Sequence, residues 1–394
     1  MLTTNDFCKK EYGQKLYKIS FDAGFSCPNR DGKIDNRGCI FCSAGGSGDF
    51  AVKISTDDFQ QIGNSDSLCN ANLDKQIELA KEKVSKKFDG DKYIAYFQAF
   101  TNTYSDVETL RKIYLPIIQR DDIAVLSIAT RPDCFTDEIY DLLAELNEIK
   151  PVWVELGLQT INKKSINLIR RGYPNSVYKN AIKKLNQIGI HTITHVILYL
   201  PNETEEDMLD TVRFAINSGT CGIKLQLLHI LKGTDLALYY EKKPFPIPTL
   251  TEYASMVKKC VDIIPENVVI HRLTGDAPKK LLIEPKWSAD KKTVLNTVND
   301  LLNPSGPYYV YMLECGDGSY YTGSTNDVLS RFNKHASGHG CKYSASHQPV
   351  RLIYVERLST KRLALKREYA VKQLKKSEKI ELVNSTNNIV NEFK

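Results

Sequence analysis

Residues 21–50 read FDAGFSCPNRDGKIDNRGCIFCSAGGSGDF. Cys39 and Cys42 are separated by two residues, Phe41 immediately precedes the second, and Cys27 lies upstream across a Gly- and Asn-containing loop of eleven residues. A CxxC taken alone reads as half a zinc site or a redox dithiol. Zinc needs a fourth Cys or His, and between residues 9 and 68 the chain has no other Cys and no His. A dithiol needs neither Cys27 nor the glycine-rich stretch that follows. Three thiolates suit a [4Fe–4S] cluster with one iron left open, because each iron requires an outer donor and soft thiolates supply it.

Outward from this loop, short apolar runs alternate with amphipathic ones. YKISF, KYIAYFQAF, IAVLSIAT, VWVELGL, TITHVILYL and GIKLQLLHI have strand character, and DVETLRKIYLPII and DEIYDLLAEL have helical spacing. Strand and helix repeated six times predicts an α/β fold, a partial (β/α)6 barrel in preference to a Rossmann sheet. Chemistry in such barrels sits at the carboxyl ends of strands, and the cysteine loop follows the first run. The polar stretch GNSDSLCNAN, within residues 44–90, is expected to be an inserted loop.

The chain has 394 residues and a formal net charge of +6. From residue 303 onward there are 14 Lys and Arg against 8 Asp and Glu, a surplus of 6, so residues 1–302 balance at 39 against 39. A basic small unit on a neutral large one points to nucleic acid ahead of membrane; the alternative is a solvated basic helix face. Pro304, Gly306 and Pro307 suggest a linker. The expected division is 1–302, a linker at 303–307, a small domain over 308–383 and a polar, fraying tail at 384–394. Ten cysteines, no leading signal-type segment and no apolar run of membrane-spanning length give the expectation of a reducing cytoplasm without disulfides. Cys8, Cys69, Cys134, Cys221, Cys260, Cys315 and Cys341 are expected to be small buried hydrophobes, with Cys134, just after AVLSIATR, the one to watch.

YKISFDAGFSCPNRDG followed by GCIFC resembles the radical S-adenosylmethionine (SAM) proteins, in the branch related to the catalytic subunit of Elongator, where the first cysteine stands unusually far from the CxxC. The resemblance continues through YIAYFQAFTNTY (93–104), LSIATRPDCF (126–135), VWVELGLQT (152–160), RRGYPNSVYKNAIKKLNQIGI (170–190), HVILYLPNETEEDM (195–208), LQLLHILKGTDLA (225–237) and HRLTGDAPKKLLIEPKWS (271–288). It implies that Cys27, Cys39 and Cys42 hold the cluster, that SAM chelates the open iron, and that its reductive cleavage yields a 5′-deoxyadenosyl radical, with a flavodoxin- or ferredoxin-type protein as electron donor. Gln98, Thr101 and Asn102 then occupy the place that holds the SAM amino group. Glu155 and Gln159, after the fourth strand, are candidates for ribose and substrate, or else polar strand caps. Arg170 and Arg171 are either contacts to the SAM carboxylate or a surface basic pair. The Elongator-like branch implies transfer RNA as substrate, at the C5 substituent of wobble uridine. With no acetyltransferase-like domain after the barrel, remodelling of an existing substituent is expected, such as removal of a carboxymethyl piece from an aminomethyl side chain.

The last quarter opens with YVYMLE and SYYTGS around GDG, a hairpin signal. It resembles the GIY-YIG nuclease superfamily over residues 308 to about 383, a small α+β domain. The two name motifs are Tyr309-Val310-Tyr311 and Tyr321-Thr322-Gly323, followed by Arg331, His335 and Glu368. Leu365, Glu368, Val371 and Leu374 share helical spacing, which puts an acid on the stripe expected to face the core. Such a carboxylate is costly unless paired or bound to a cation. It is read either as a salt bridge to Arg331 or as the ligand of one Mg²⁺ or Mn²⁺. In the second case Tyr321 or His335 helps deprotonate water, Tyr311 orients it and Arg331 stabilises the phosphate. Tyr309 stands where the motif has glycine, which leaves cleavage and pure binding both open. A rival reading makes the whole chain a DNA or RNA repair or processing nuclease with an accessory iron–sulfur domain.

Overall fold

The computed structural model describes residues 1–46, 51–53, 66–85, 88, 90–302, 306–340, 343 and 346–393, with backbone alone for 66–73. Two compact units are present, Met1–Val298 and Asn299–Lys394.

The first unit is a curled, all-parallel sheet with the strand order β1-β10-β8-β7-β6-β5-β4-β2-β3. Its strands are β1 (Leu2–Thr3), β2 (Tyr17–Asp22), β3 (Val52–Lys53), β4 (Tyr93–Phe97), β5 (Ile123–Thr130), β6 (Val152–Gln159), β7 (His191–Leu198), β8 (Gly222–Leu227) and β10 (Val269–Arg272); β9 (Ile230–Leu231) pairs with β11 (Leu282–Glu284) in a separate ribbon. All six strands read from the sequence are present, so the partial barrel is the observed fold. β4 to β8 are buried along most of their length on both faces, as expected of parallel strands covered by crossover helices. The helices begin where the sequence supplies caps: Asp106, Thr136 and Thr204 each accept a backbone N–H from the first turn of the helix that follows.

The interior fills in layers. Leu16, Ile94, Val125, Trp153 and Ile193, one from each of five neighbouring segments, close the amino end with Cys8. Two residues further along each strand the layer turns polar, with Lys18, Tyr96, Ser127, Glu155 and His195, joined by Lys224 from β8. The cavity begins above it.

The expected inserted loop needs correction. Asp66–Ser85 is a helix, so GNSDSLCNAN from Asp66 onward forms its opening turns, and residues 63–65 lie outside the described residues. Polar Ser, Asp and Asn suit a helix start, and the apolar residues that anchor this helix, Ile77 and Ala80, come only afterwards. Cys8, Cys134, Cys260 and Cys315 are buried and Cys221 is half-buried, none of them in a disulfide. The Cys69 side chain and Cys341 lie outside the described residues. Among the described residues no helix is long and apolar enough to cross a membrane.

The second unit is a three-stranded antiparallel sheet, β13-β12-β14, from β12 (Tyr308–Cys315), β13 (Tyr320–Thr325) and β14 (Pro349–Leu358). The GDG hairpin forms as read, with Gly318 N–H donating to the Cys315 carbonyl at 2.9 Å. One face packs on the helix Val328–Ala336, the other on Lys361–Gln373. Of the tail expected to fray, residues 384–393 are docked on the sheet. Asn388 donates to the carbonyls of Ile353 and Val383 and accepts from Val355 and Val390, while Val390 is buried and Phe393 packs edge-on against Tyr309 at 5.1 Å. Composition makes the segment look solvated, but its few apolar residues are spaced to dock together on the sheet.

Candidate active site

The loop after β2 is folded back on itself by its own backbone: Arg30 N–H donates to the Cys27 carbonyl at 2.7 Å and Cys42 N–H to the Cys39 carbonyl at 2.9 Å. Arg30 sends its guanidinium to the carbonyls of Cys42 and Ser43. Asn29, fully buried, donates to the Cys39 sulfur at 3.4 Å and to the Arg170 carbonyl at 2.6 Å. Gly46 closes the loop in the left-handed region at φ +57°, and a Cβ there would lie 2.4 Å from the Phe100 ring. Only glycine lets Phe100, which itself hydrogen-bonds Gly46 through its N–H, lie across the loop.

Cys27, Cys39 and Cys42 all line one cavity at the carboxyl end of the barrel, with Gln98, Thr101, Glu155, Gln159, His195 and Arg272 among the other lining residues. Burial and the neighbouring Cys42 push the Cys39 thiol up to about 11, so its thiolate requires a metal partner. Among the described residues no three His, Cys, Asp or Glu side chains converge on a single ion position. A cubane places each thiolate on a different iron, which calls for three sulfurs spread around a space rather than meeting at a point. Three thiols around one cavity, none in a disulfide, with an amide N–H already directed at one sulfur, fit such a group.

The other sequence candidates divide. Gln98, Thr101, Glu155 and Gln159 line the cavity. Asn102 does not: its amide donates to the carbonyls of Phe97, Ala99 and Ala129, so it fixes the β4 loop. Glu155 lies in the middle of β6, not after it, and is fully buried. It accepts from Lys18 at 2.7 Å, Ser127 at 2.9 Å, His195 at 2.7 Å and also Lys224. Burial opposes its charge, but Lys18, Lys224 and His195 prevail and hold it well below the usual carboxylate range. Its oxygens are committed within the protein. Arg171 is neither a surface residue nor unengaged: 1% exposed, it braces the carbonyls of Leu158, Thr160 and Tyr173 and the Asn175 amide. Arg170 pairs with Asp235 at 2.6 Å and presents its carbonyl to Asn29. Cys134 is pushed up to about 12 by burial, a protonated thiol.

Sequence reasoning missed Arg30, Arg131, His195, Gln226 and Arg272. Arg131 immediately follows β5 and hydrogen-bonds Asp133 and the Arg171 carbonyl. The strand-end rule that drew attention to Gln98 applies equally to it.

In the C-terminal unit Tyr311, Tyr321, Arg331 and His335 are brought together. The Tyr311 hydroxyl and His335 Nε2 are 2.9 Å apart, and the Tyr321 and His335 rings lie at 4.7 Å. Burial and then Arg331 lower the His335 pKa, which leaves the imidazole neutral near pH 7. Glu368 comes from the helix on the other face, past edge strand β13, where it accepts from Ser324 and from Lys372 at 2.5 Å. The expected salt bridge to Arg331 is therefore replaced by Lys372, one turn along the same helix. The core stripe is also shifted: Ala364 and Val371 are buried, whereas Leu365 is 51% exposed. Tyr309 fills the motif's glycine position by packing on Phe393 under Arg357.

The chain matches the Radical SAM superfamily over residues 36–215, the Radical_SAM C-terminal domain over 220–303 and the GIY-YIG catalytic domain over 307–381. It is 41% identical over 306 residues to YtqA of Bacillus subtilis (strain 168), covering 78% of this chain and 90% of that one. To YhcC of Escherichia coli (strain K12) it is 33% identical over 298 residues, covering 75% and 90%. Among solved structures, archaeal Methanocaldococcus infernus Elp3 with an N-terminal deletion gives a TM-score of 0.47 at 16% identity, covering 68% of this chain and 59% of that chain. The chain thus belongs to the radical SAM superfamily, together with YtqA and YhcC, and is a radical SAM enzyme with a C-terminal GIY-YIG domain.

Proposed function

We propose that this enzyme remodels the C5 substituent of wobble uridine in transfer RNA, removing a carboxymethyl piece from an aminomethyl side chain by two-electron oxidation of its N-bound CH2, with SAM as the oxidant, after which water breaks the C–N bond and releases glyoxylate, and that the GIY-YIG unit grips the nucleic acid. The observation that carries this reading is a three-thiol cavity in the barrel on the same chain as a GIY-YIG domain bearing the whole surplus of positive charge. The Elongator-like sequence supplies the substrate class.

When bound, the [4Fe–4S] cluster and SAM supply a carbon radical able to take hydrogen from an unactivated carbon. Cys27, Cys39 and Cys42 hold the cluster, while Asn29 and Arg30 fix the loop that carries them. Gln98, Thr101 and Gln159 line the space for SAM and the target side chain. The polar layer around Glu155 closes the cavity below and limits access of water to the radical. The electron donor is a flavodoxin- or ferredoxin-type protein.

A second reading has the C-terminal unit cut phosphodiester bonds, and the grouping of Tyr311, Tyr321, Arg331 and His335 favours it. For this Glu368 must exchange Lys372 for Mg²⁺ or Mn²⁺. The experiment uses anaerobically reconstituted protein with SAM, a reductant and tRNA, read by nucleoside mass spectrometry. The wild type and Glu368→Gln are expected to convert the carboxymethylaminomethyl nucleoside, and Cys39→Ala is expected not to. Unchanged nucleosides with the wild type refute the tRNA reading; strand cleavage abolished by Glu368→Gln establishes the second.

A further inference from the structure

Successive residues of a strand point to opposite faces, yet both His271 and Arg272 of β10 face the barrel interior. His271 lies 3.3 Å from His191 and edge-on to Trp153, and Arg272 lines the cavity. The cause is a register shift between Ile270 and Arg272 against β8, after which Arg272 stands beside Lys224. Gly222 makes the shift sterically feasible, because a Cβ there would lie 2.5 Å from the His271 ring. Irregularities of this kind re-aim side chains beside active sites.

The re-aimed guanidinium has little to hold. Its nearest carboxylate, Asp276, is 3.8 Å away and engaged by Lys291 at 2.6 Å, and the Arg272 guanidinium makes no hydrogen bond to a described residue. Lys18 and Lys224 both turn to the carboxylate of Glu155, which leaves Arg272, 3.8 Å from Asp276, the loosely paired cation beside this floor. Gln226, also lining the cavity, adds an amide on the neighbouring strand. A loosely paired guanidinium with an amide beside it, both lining a cavity, is an arrangement that receives an anion.

We propose that Arg272, with Gln226 and beside Lys224, forms a subsite for a substrate carboxylate. It rests on the tRNA reading, under which the anion is the carboxylate end of the side chain to be removed. The three cysteines are carried by the loop after β2, and five strands separate β2 from β10 in the sheet, so Arg272 enters the shared cavity from a different strand than the thiols. A backbone phosphate, tied into a polymer, does not reach a floor formed by the buried Lys224.

The test has two arms, both on the full-length protein with its cluster reconstituted. In the first, phenylglyoxal modification of Arg272 is followed by peptide mass spectrometry in the presence of N-methylglycine, which reproduces the amine and carboxylate of the side chain, or of methylamine. Protection by N-methylglycine and none by methylamine is expected. In the second, Arg272→Met is expected to raise KM for tRNA bearing the carboxymethylaminomethyl uridine about 10- to 100-fold, the loss typical of a charge-assisted hydrogen bond, with partial recovery in Arg272→Lys. Turnover of the tRNA without protection by N-methylglycine overturns the subsite and leaves the tRNA reading standing. Protection without turnover of any modified tRNA does the reverse. A KM unchanged in Arg272→Met also overturns the subsite.

Discussion

Glu155→Gln is the most informative substitution for the barrel, because it changes one charge and almost no volume. In the wild type the carboxylate is fully buried and accepts hydrogen bonds from Lys18, Lys224, Ser127 and His195. The substitution turns one acceptor oxygen into an NH₂ that faces a cation, and it deprives Lys224, only 3% exposed, of its counter-charge. Lys224 must then either remain charged without a partner or release its proton. Breaking a buried pair from one side costs about 3–5 kcal/mol. For a unit of this size about 2 °C of Tm corresponds to each kcal/mol, giving a drop of roughly 6–10 °C for the barrel transition. The assay is anaerobic differential scanning calorimetry of wild type, Glu155→Gln, Lys224→Met and the double variant. The double variant is expected to be less destabilised than the sum of the singles by about 1–3 kcal/mol, since each single leaves the other's charge stranded. Strict additivity, or a Glu155→Gln barrel that melts with the wild type, would refute the charge-balance account.

Two further predictions concern stability. Burial pulls both His195 and His229 down to about 4, so the folded barrel prefers them neutral while the unfolded chain takes up protons near pH 6.5. The stability tied to their neutral form is present above about pH 6.5 and lost as pH falls towards 4, by about 1–2 kcal/mol per histidine at pH 5; denaturant midpoints at pH 7.5 and 5 check it, and equal midpoints would contradict it. In the C-terminal unit Asn388→Ala strands the backbone groups of Ile353, Val355, Val383 and Val390. A loss of about 2 kcal/mol is expected, read as roughly 30-fold faster amide exchange in residues 349–358, and unchanged exchange would show that the tail only rests there.

The thiol spacing alone made the cofactor legible, because a cluster is defined by its donors and those donors are close in sequence. The six strands were equally legible, since fully buried parallel strands are written as continuous apolar runs, and the GDG hairpin was set by its turn residues. The sequence misled where composition stood in for position. GNSDSLCNAN looked like a loop because the apolar residues that make it helical follow it, and NSTNNIVNEFK looked loose although Asn388, Val390 and Phe393 are spaced to dock.

What only tertiary structure decided is which polar side chains face one another. Lys18, Tyr96, Ser127, Glu155, His195 and Lys224 come from six strands spread over more than two hundred residues, and no local pattern relates them. Their pairing follows from strand register, which depends on packing across the whole sheet. The same holds for Glu368, whose partner is Lys372 and not Arg331, and for Arg272. The irregular pairing of β10 with β8 aims Arg272 into the cavity, and that register is a property of two strands together, visible in neither one's residues alone.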